Sequence, residues 1–413
     1  MIWQENIEYV LMLTNLVENG KLASARTINQ FHYTAWPDHG TPEEIGLVQF
    51  HRAVTKKWKS ESPLLVHCSA GVGRTGTYIG LNVLLQQGRQ TGRINVFEFV
   101  KQMREDRMTM VQTVEQYVFL HKALLCGFQD IETVISERDL QAKVHTPLKE
   151  ASPFNQQKLN KEFRLLLALK PIFDTETKED AVKPANRAKN VDMDILPASE
   201  HRPYLTTYVR GRNDYINAVF VSTFTNPYGF ILTQKPLTDT VVDLWRLCRD
   251  HDVESVVILN DDGVGPNWLP NGGKTLQCKP FTIAAKNAGF DSDGIRQDRL
   301  LISTDDYKSY IDVFQILSEN DDALLKGAKI LLEKGNTSTS LVISSNGAGS
   351  AGIFCVLHNA LQQLQMDGEV DIFTRVRQIQ TRRPEVITTL EEYRKCYQLL
   401  GGSLSSEGIY VNF

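Results

Sequence analysis

The sequence predicts an α/β fold in which one structural unit occurs twice. Residues 63–66 form a short apolar run typical of a buried strand, a glycine-rich loop follows it, and residues 77–85 have the apolar pattern of a helix. The same strand, loop and helix pattern returns over residues 342–352. The offset between the two loops is constant and also relates Tyr117 to Tyr393. We therefore predict two tandem copies.

The first copy is predicted to alternate strands and helices. Residues 28–36 alternate like a strand that leads into a turn at Pro37, and Pro42 lies just inside a plausible helix start. The predicted elements, in order, are strands over 8–16 and 28–36, a helix from about 41 to 60, a strand over 63–66, and helices over 77–85, 96–104 and 116–128.

The loop after the predicted strand over 63–66 carries the residues of a nucleophilic phosphate site. Gly71, Gly73 and Gly76 allow consecutive backbone N–H groups to point inward, and the N-terminus of the following helix adds positive potential. This field lowers the pKa of Cys68 and favours its thiolate, while Arg74 can grip two phosphate oxygens with its planar fork. A structural cysteine in a tight turn is the alternative interpretation, and the joint presence of these residues argues against it.

Composition restricts the possible classes of protein. The 413 residues are enough for two or three domains, and 42% hydrophobic residues, 23% charged residues and a net charge of −4 are ordinary for a globular protein. Nothing here suggests a nucleic-acid binder, and no apolar run is long enough for a membrane span. The first residues lack the features of a signal peptide. Six cysteines without paired spacing fit a reducing compartment, and no spacing suggests a zinc site.

The second copy keeps the glycines and loses the chemical groups. No Trp-Pro-Asp occurs after Trp36. A serine hydroxyl has a pKa far above that of a thiol, and no base that would activate it is evident. We therefore predict that the second copy is inactive. The replacements are Cys68 by Ser344, Arg74 by Ser350, His67 by Ile343, Gln112 by Thr388, and Gln116 by Glu392.

At these residues the sequence resembles the protein tyrosine phosphatases. Residues 67–76 match the family signature His-Cys-x-x-Gly-x-x-Arg-[Ser/Thr]-Gly at every fixed position. A Cys-x5-Arg loop alone is less specific, because dual-specificity phosphatases and arsenate reductases also use it. Residues 36–40 (Trp-Pro-Asp-His-Gly) are similar to the mobile acid loop of the family, and residues 112–117 to its glutamine loop. The resemblance implies the tyrosine-phosphatase fold, a twisted mixed sheet flanked by helices.

The resemblance also implies the site residues. It makes Cys68 the nucleophile, Arg74 the phosphate ligand and Asp38 the general acid. Gln112 positions the attacking water, Thr75 hydrogen-bonds the departing thiolate, and His67 holds the Cys68 backbone. No metal or cofactor is implied. The residues implied to bind substrate are Ser69, Ala70, Gly71, Val72, Gly73, Arg74, Asp38, Gln112 and Gln116.

An active copy followed by an inactive one resembles the cytoplasmic region of receptor-type tyrosine phosphatases. The expected partners are then phosphotyrosyl proteins and a second phosphatase-like domain, in the same chain or in another. The expected location is the cytoplasmic side of a single-pass receptor. The expected domains are an incomplete catalytic domain over 1–129, a linker over 130–160 with a helix around 131–144, an inactive domain over 161–404 and a tail over 405–413.

The first copy is shorter than the second. Trp3 aligns with Trp245 at a smaller offset than the one that relates the loops, and nothing precedes Trp3 that matches residues 190–197, where the phosphotyrosine loop of the family belongs. The missing strands are expected to leave sheet edges uncovered. This shortening keeps a second hypothesis open, a catalytically impaired scaffold or phosphotyrosine-binding pseudophosphatase. Retained Cys68, Asp38 and Arg74 argue against it, because a pure binder needs neither nucleophile nor acid.

Overall fold

The protein forms two compact units, unit 1 over Met1–Glu132 and unit 2 over Thr133–Phe413. No helix among the described residues is long and apolar enough to cross a membrane. The structure, a computed structural model, describes residues 2, 4–5, 7–13, 28–37, 40–58, 62–129, 133–144, 153–259, 265–270, 275–286, 290–292, 294–316, 321–335 and 338–407.

Unit 1 packs four helices around a small parallel sheet. Its core includes Leu11, Val48, Tyr78, Leu81 and Leu120, which are all buried. Its elements are β1 (Tyr9–Met12), β2 (Asn29–His32), α1 (Glu44–Lys57), β3 (Leu64–His67), α2 (Gly73–Thr91), α3 (Val96–Asp106) and α4 (Val114–Phe128).

The helices of unit 1 agree with the sequence more closely than its strands do. Helix α2 begins at Gly73, earlier than the apolar pattern predicts, because the loop passes directly into the first helical turn. Helix α4 begins at Val114 because the Thr113 side chain accepts a hydrogen bond from the Gln116 amide and so caps it. The predicted strand over 28–36 is wrong beyond His32, since only four of its residues pair with β1. Of the predicted strand over 8–16, residues 14–16 lie outside the described part.

Strand β3 lies at one edge of the described sheet of unit 1. The strand order is β2-β1-β3, and β1 pairs in parallel with both neighbours, with Tyr9 opposite Asn29 and Leu64. All four residues of β3 are half-buried. The strand that leads into the glycine-rich loop therefore has one side on which no described residue of this sheet pairs.

Unit 2 holds a larger, mixed sheet. Its elements are β4 (Ile135–Ser136), α5 (Glu137–Val144), α6 (Pro153–Leu169), α7 (Glu179–Val182), α8 (Pro184–Arg187), β5 (Ala218–Val221), β6 (Phe230–Gln234), α9 (Val241–Asp250), β7 (Ser255–Leu259), β8 (Leu276–Cys278), β9 (Phe281–Ala285), β10 (Phe290–Ser292), β11 (Ile295–Ser303), β12 (Lys308–Ile316), α10 (Asp321–Lys334), β13 (Ser340–Ser344), α11 (Gly349–Asp367), β14 (Glu369–Val370), α12 (Ile372–Gln380) and α13 (Leu390–Glu407).

The central strands of unit 2 repeat the sheet of unit 1. Strand β7 pairs in parallel with β12 and β13, with Ser255 opposite Asp312 and Ser340. Strand β13, the counterpart of β3, also pairs in parallel with β6 and is buried at every residue. The nine-stranded sheet contains parallel and antiparallel pairs and is flanked by helices, so the predicted α/β fold class is confirmed.

In unit 2, residues 190–197 are hydrogen-bonded to the segment that precedes β5. The Asn190 side-chain oxygen accepts hydrogen bonds from the Tyr215 hydroxyl at 2.6 Å and from the Asn217 amide at 3.1 Å. The range 130–160, expected to be a linker, contains β4, α5 and the start of α6. Strand β4 pairs with β14, and α5 packs against α13, so both belong to unit 2.

Candidate active site

The glycine-rich loop of unit 1 connects β3 to α2 and places two hydrogen-bond donors on one sulfur. The Gly71 amide donates to Cys68 Sγ at 3.2 Å, and the Thr75 hydroxyl donates to the same atom at 3.1 Å. Gly71 has φ +69°, a left-handed conformation that glycine adopts without strain. The loop therefore closes around the sulfur of Cys68.

The hydrogen bonds of the loop make Cys68 more acidic. Partial burial by itself raises the pKa of Cys68, because a thiolate is less well solvated there. Hydrogen bonds from the Thr75 hydroxyl and from the amides of Thr75, Gly71 and Val72 outweigh this effect, so the pKa lies below its ordinary value. The geometry thus favours the nucleophilic thiolate, as the sequence led us to expect.

Removal of the Thr75 hydroxyl is expected to make Cys68 less reactive. In Thr75→Val the hydrogen bond to sulfur is lost, so the pH profile of Cys68 alkylation by iodoacetamide should move to higher pH. The alkylation rate at neutral pH should fall roughly tenfold, which is the usual effect of one hydrogen bond to a charged group. Thr75→Ser keeps the hydroxyl and is the matched control. An unchanged profile in a folded Thr75→Val protein would show that Thr75 does not tune the thiolate.

The Arg74 guanidinium is held at the rim of the loop by backbone carbonyls. Its Nη1 donates to Leu13 O at 3.2 Å and its Nη2 to Pro37 O at 2.9 Å. The guanidinium carbon lies 6.0 Å from the centre of the Trp36 ring. The candidate phosphate ligand is thereby linked to the end of β1 and to the segment that immediately precedes Asp38.

Two glutamines lie against the start of α2. The backbone N–H of Gln112 donates a hydrogen bond to Gln116 Oε1 at 2.9 Å. A Cβ atom on Gly73 would lie 2.9 Å from Gln116 Nε2 and 3.3 Å from Gln112 Oε1, so only a glycine allows this approach. Most of the predicted substrate residues share one open cleft of about 560 Å³, lined by Gly40, Cys68, Ser69, Ala70, Gly73, Arg74, Gln112, Thr113, Glu115 and Gln116.

The two remaining predicted site residues have different outcomes. Asp38 lies outside the described residues. Trp36, two positions earlier, is 4% exposed, and its Nε1 donates to Gly40 O at 3.3 Å. His67 ends β3 and its carbonyl accepts from the Leu13 amide at 3.1 Å. Within the described part of the chain, the His67 side chain makes no hydrogen bond to the Cys68 backbone, so its implied role has no geometric support.

Sequence reasoning did not identify two arginines near the site. Arg104 donates from Nε to Met110 O at 2.9 Å and from Nη2 to Val111 O at 2.7 Å, which fixes the segment that enters the glutamine loop. Arg107 donates from Nη2 to Ala70 O at 3.1 Å. The signal for Arg107 was available, because Arg383 occupies the same position of the second copy.

The loop of unit 2 keeps one hydrogen bond of the loop of unit 1, although its side chains differ. The Gly347 amide donates to Ser344 Oγ at 3.1 Å, as the Gly71 amide does to Cys68 Sγ. Ser344 is 3% exposed. In place of Gln116 stands Glu392, whose Oε2 accepts from the amides of Thr388 at 2.8 Å and Thr389 at 3.0 Å. Among the residues described in either unit, no group of three His, Cys, Asp or Glu side chains is arranged to hold a metal ion.

Fold and site together define an α/β protein in which a loop between strand and helix holds a cysteine and an arginine beside an open cleft. A family model described as protein-tyrosine phosphatase matches residues 19–126 and 186–401. These two ranges make up more than half of the chain, and one falls in each unit. The chain therefore belongs to the protein-tyrosine phosphatase family.

Similar relatives are receptor-type members of that family. Receptor-type tyrosine-protein phosphatase zeta of Rattus norvegicus is 30% identical over 472 residues, which cover 97% of this chain and 20% of that protein. The epsilon protein of Mus musculus is 30% identical over 414 residues, covering 94% of this chain and 58% of that protein. Receptor-type tyrosine-protein phosphatase U of Gallus gallus is 28% identical over 467 residues, which cover 97% of this chain and 32% of that protein. The chain thus spans only part of each relative.

Proposed function

We propose that unit 1 hydrolyses phosphotyrosine on proteins through a cysteinyl-phosphate at Cys68, and that unit 2 is an inactive regulatory domain. The observation that carries the proposal is the pair of donors on one sulfur, the Gly71 amide and the Thr75 hydroxyl, within a loop that also contains Arg74. Family membership supports the reaction class, and the receptor-type relatives support a location on the cytoplasmic side of a membrane receptor.

In the first step the Cys68 thiolate attacks the phosphorus atom. A sulfur–phosphorus bond forms while the bond from phosphorus to the tyrosine oxygen breaks, and Asp38 gives its proton to the departing phenolate. The amides of the loop and the Arg74 fork bind the phosphoryl oxygens, where negative charge is spread in the transition state. For this, Arg74 exchanges the carbonyls of Leu13 and Pro37 for phosphate oxygens.

In the second step water releases the phosphate. Gln112, with Gln116 beside it, orients a water molecule towards the phosphorus atom, and the Asp38 carboxylate takes the proton of that water. The water oxygen bonds to phosphorus as the sulfur–phosphorus bond breaks, and the electron pair of the broken bond returns to Cys68 as a thiolate. The Thr75 hydroxyl stabilises this leaving group through the hydrogen bond that it already makes.

The inactivity of unit 2 follows from its side chains. Ser344 lacks a thiol, and Ser350 cannot replace the arginine fork. Glu392 places a carboxylate at the position of the repeat where unit 1 has the neutral Gln116, and a carboxylate repels a phosphate. These three differences together support a domain without phosphatase chemistry.

The substrate class is tested on peptides that differ only in the phosphorylated residue. We expect the purified chain to release phosphate from a phosphotyrosyl peptide and much less from the phosphoseryl peptide of the same sequence. Malachite-green detection of inorganic phosphate over time measures both rates. Equal rates would contradict selectivity for phosphotyrosine and would leave a phosphatase of broader specificity.

A second candidate function is a scaffold that binds phosphotyrosine without turnover. The side of β3 on which no described residue pairs favours it, whereas β13 is paired on both sides. A Cys68→Ser protein and the unaltered protein would then bind a phosphotyrosyl peptide equally, and neither would release phosphate. Measurable turnover that depends on Cys68 would exclude this scaffold function.

A further inference from the structure

Different groups pack against the glycine-rich loops of unit 1 and unit 2. At Gly347 a Cβ atom would lie 2.8 Å from Gln234 N and 2.9 Å from Thr233 C, so the backbone at the end of β6 lies directly against the loop of unit 2. At the corresponding Gly71 the nearest atom is Arg107 Nη2, at 3.2 Å. A side chain therefore lies in unit 1 where a strand lies in unit 2.

The corresponding arginines, Arg107 of unit 1 and Arg383 of unit 2, have different neighbours. Arg383 is 0% exposed, and its Nη2 donates to Asn217 Oδ1, immediately before β5, at 3.1 Å. Arg107 occupies the same position of the repeat, but its side chain is exposed and its Nη2 donates to Ala70 O at 3.1 Å. The two corresponding arginines therefore have different partners, a carbonyl of the loop in unit 1 and the residue before β5 in unit 2.

The contact falls on a peptide group whose N–H also touches the nucleophile. The carbonyl of the Ala70–Gly71 peptide accepts from Arg107, and the N–H of the same peptide donates to Cys68 Sγ at 3.2 Å. Because a peptide group is planar and rigid, fixing its carbonyl also fixes the direction of its N–H. A charged donor on the carbonyl further polarises the group and strengthens the hydrogen bond that the N–H donates.

We propose that Arg107 is a positioning residue that holds the anion-binding shape of the Cys68 loop, in the place that the end of β6 occupies in unit 2. It does so through the Ala70–Gly71 peptide and without touching the substrate. The consequence for catalysis rests on the proposed function, whereas the consequence for anion binding does not. Arg383 makes no equivalent contribution, because β6 already supports the loop of unit 2.

The experiment measures oxyanion binding separately from turnover. Tungstate, a phosphate-like oxyanion, is titrated by calorimetry into the full chain carrying Cys68→Ser, alone and combined with Arg107→Ala. We expect tungstate to bind about five- to tenfold more weakly when Arg107 is absent, which corresponds to one exposed, charge-assisted hydrogen bond. Arg93→Ala, which removes another exposed arginine of unit 1 with the same change in net charge, should leave the affinity unchanged.

A second readout follows the nucleophile directly. In the protein that retains Cys68, Arg107→Ala should move the pH profile of iodoacetamide alkylation to higher pH, since the Gly71 amide is less well fixed. Arg107→Lys keeps the charge without the planar fork, so its pH profile should lie between those of the unaltered protein and of Arg107→Ala. If thermal melting shows that Arg107→Ala does not fold, Arg107→Lys decides: weaker tungstate binding supports the inference, and unchanged binding overturns it.

The outcomes separate this inference from the proposed function. Weaker binding in a folded Arg107→Ala protein supports the positioning role even if the chain shows no turnover, in which case only the proposed function fails. Unchanged affinity together with an unchanged alkylation profile overturns the inference. No tungstate binding in the Cys68→Ser parent also overturns it, because the loop would then have no anion-binding shape to maintain.

Discussion

Cys68→Ser is expected to reduce hydrolysis of aryl phosphates by several orders of magnitude, to below detection. The hydroxyl pKa lies far above that of a thiol, and Cys68 is the group towards which the donors Gly71 and Thr75 converge. Initial rates on a chromogenic aryl phosphate measure the effect. The variant should still bind tungstate, because the amides of the loop and Arg74 remain.

The second copy provides the matched control for the nucleophile. Ser344→Cys places a thiol at the corresponding position of unit 2, but Ser350 still stands where an arginine is needed and Glu392 replaces a neutral glutamine with a carboxylate. We therefore expect Ser344→Cys to add no activity, alone or combined with Cys68→Ser. Undiminished turnover in the Cys68→Ser protein would overturn the assignment of the nucleophile, and activity restored by Ser344→Cys would overturn the inactivity of unit 2.

Asp38→Ala is expected to lower kcat by about 10²–10⁴-fold with little increase in KM, since general acid catalysis contributes an effect of this size. The variant retains Cys68 and Arg74 for binding but cannot protonate the leaving phenolate. The decrease in kcat should therefore be largest for phosphotyrosyl peptides, whose leaving group is poor. Such a variant should also retain phosphotyrosyl proteins long enough to capture them from a lysate.

The dependence on leaving group separates acid catalysis from a structural role. Aryl phosphates with electron-poor rings release their phenolates without protonation. The ratio of kcat in the unaltered protein to kcat in Asp38→Ala should therefore fall towards one across such a series. Steady-state kinetics on four or five substituted phenyl phosphates gives the trend. A uniform loss, or a large increase in KM, would mean that Asp38 only shapes its loop.

The sequence predicts the catalytic loop well because its chemistry is local. Cys68, Thr75 and Gly71 lie within eight consecutive positions, between an apolar run and a helical pattern, and the structure brings them together. The glutamine loop was also predictable, since the Gln112–Gln116 spacing places both side chains at the start of one helix. The fold class followed from the alternation of predicted strands and helices.

The sequence could not predict how the described strands of unit 1 pair. A pattern shows that β3 is apolar, but the partner on its second side is a long-range property, and β6 precedes β13 by more than a hundred residues in unit 2. The same limit applies to Arg107. Its identity with Arg383 predicts a shared role, whereas the structure gives the two arginines different partners, Ala70 and Asn217.

The most direct test of the central claim is detection of the covalent intermediate. Rapid acid quenching of the full chain during turnover, followed by peptide mass spectrometry, identifies any phosphorylated residue. Gln112→Ala should increase the yield, because the water that releases phosphate is no longer positioned. We predict phosphate on Cys68 and none on Ser344. Turnover without phosphate on Cys68, or phosphate on another residue, would contradict the proposed mechanism.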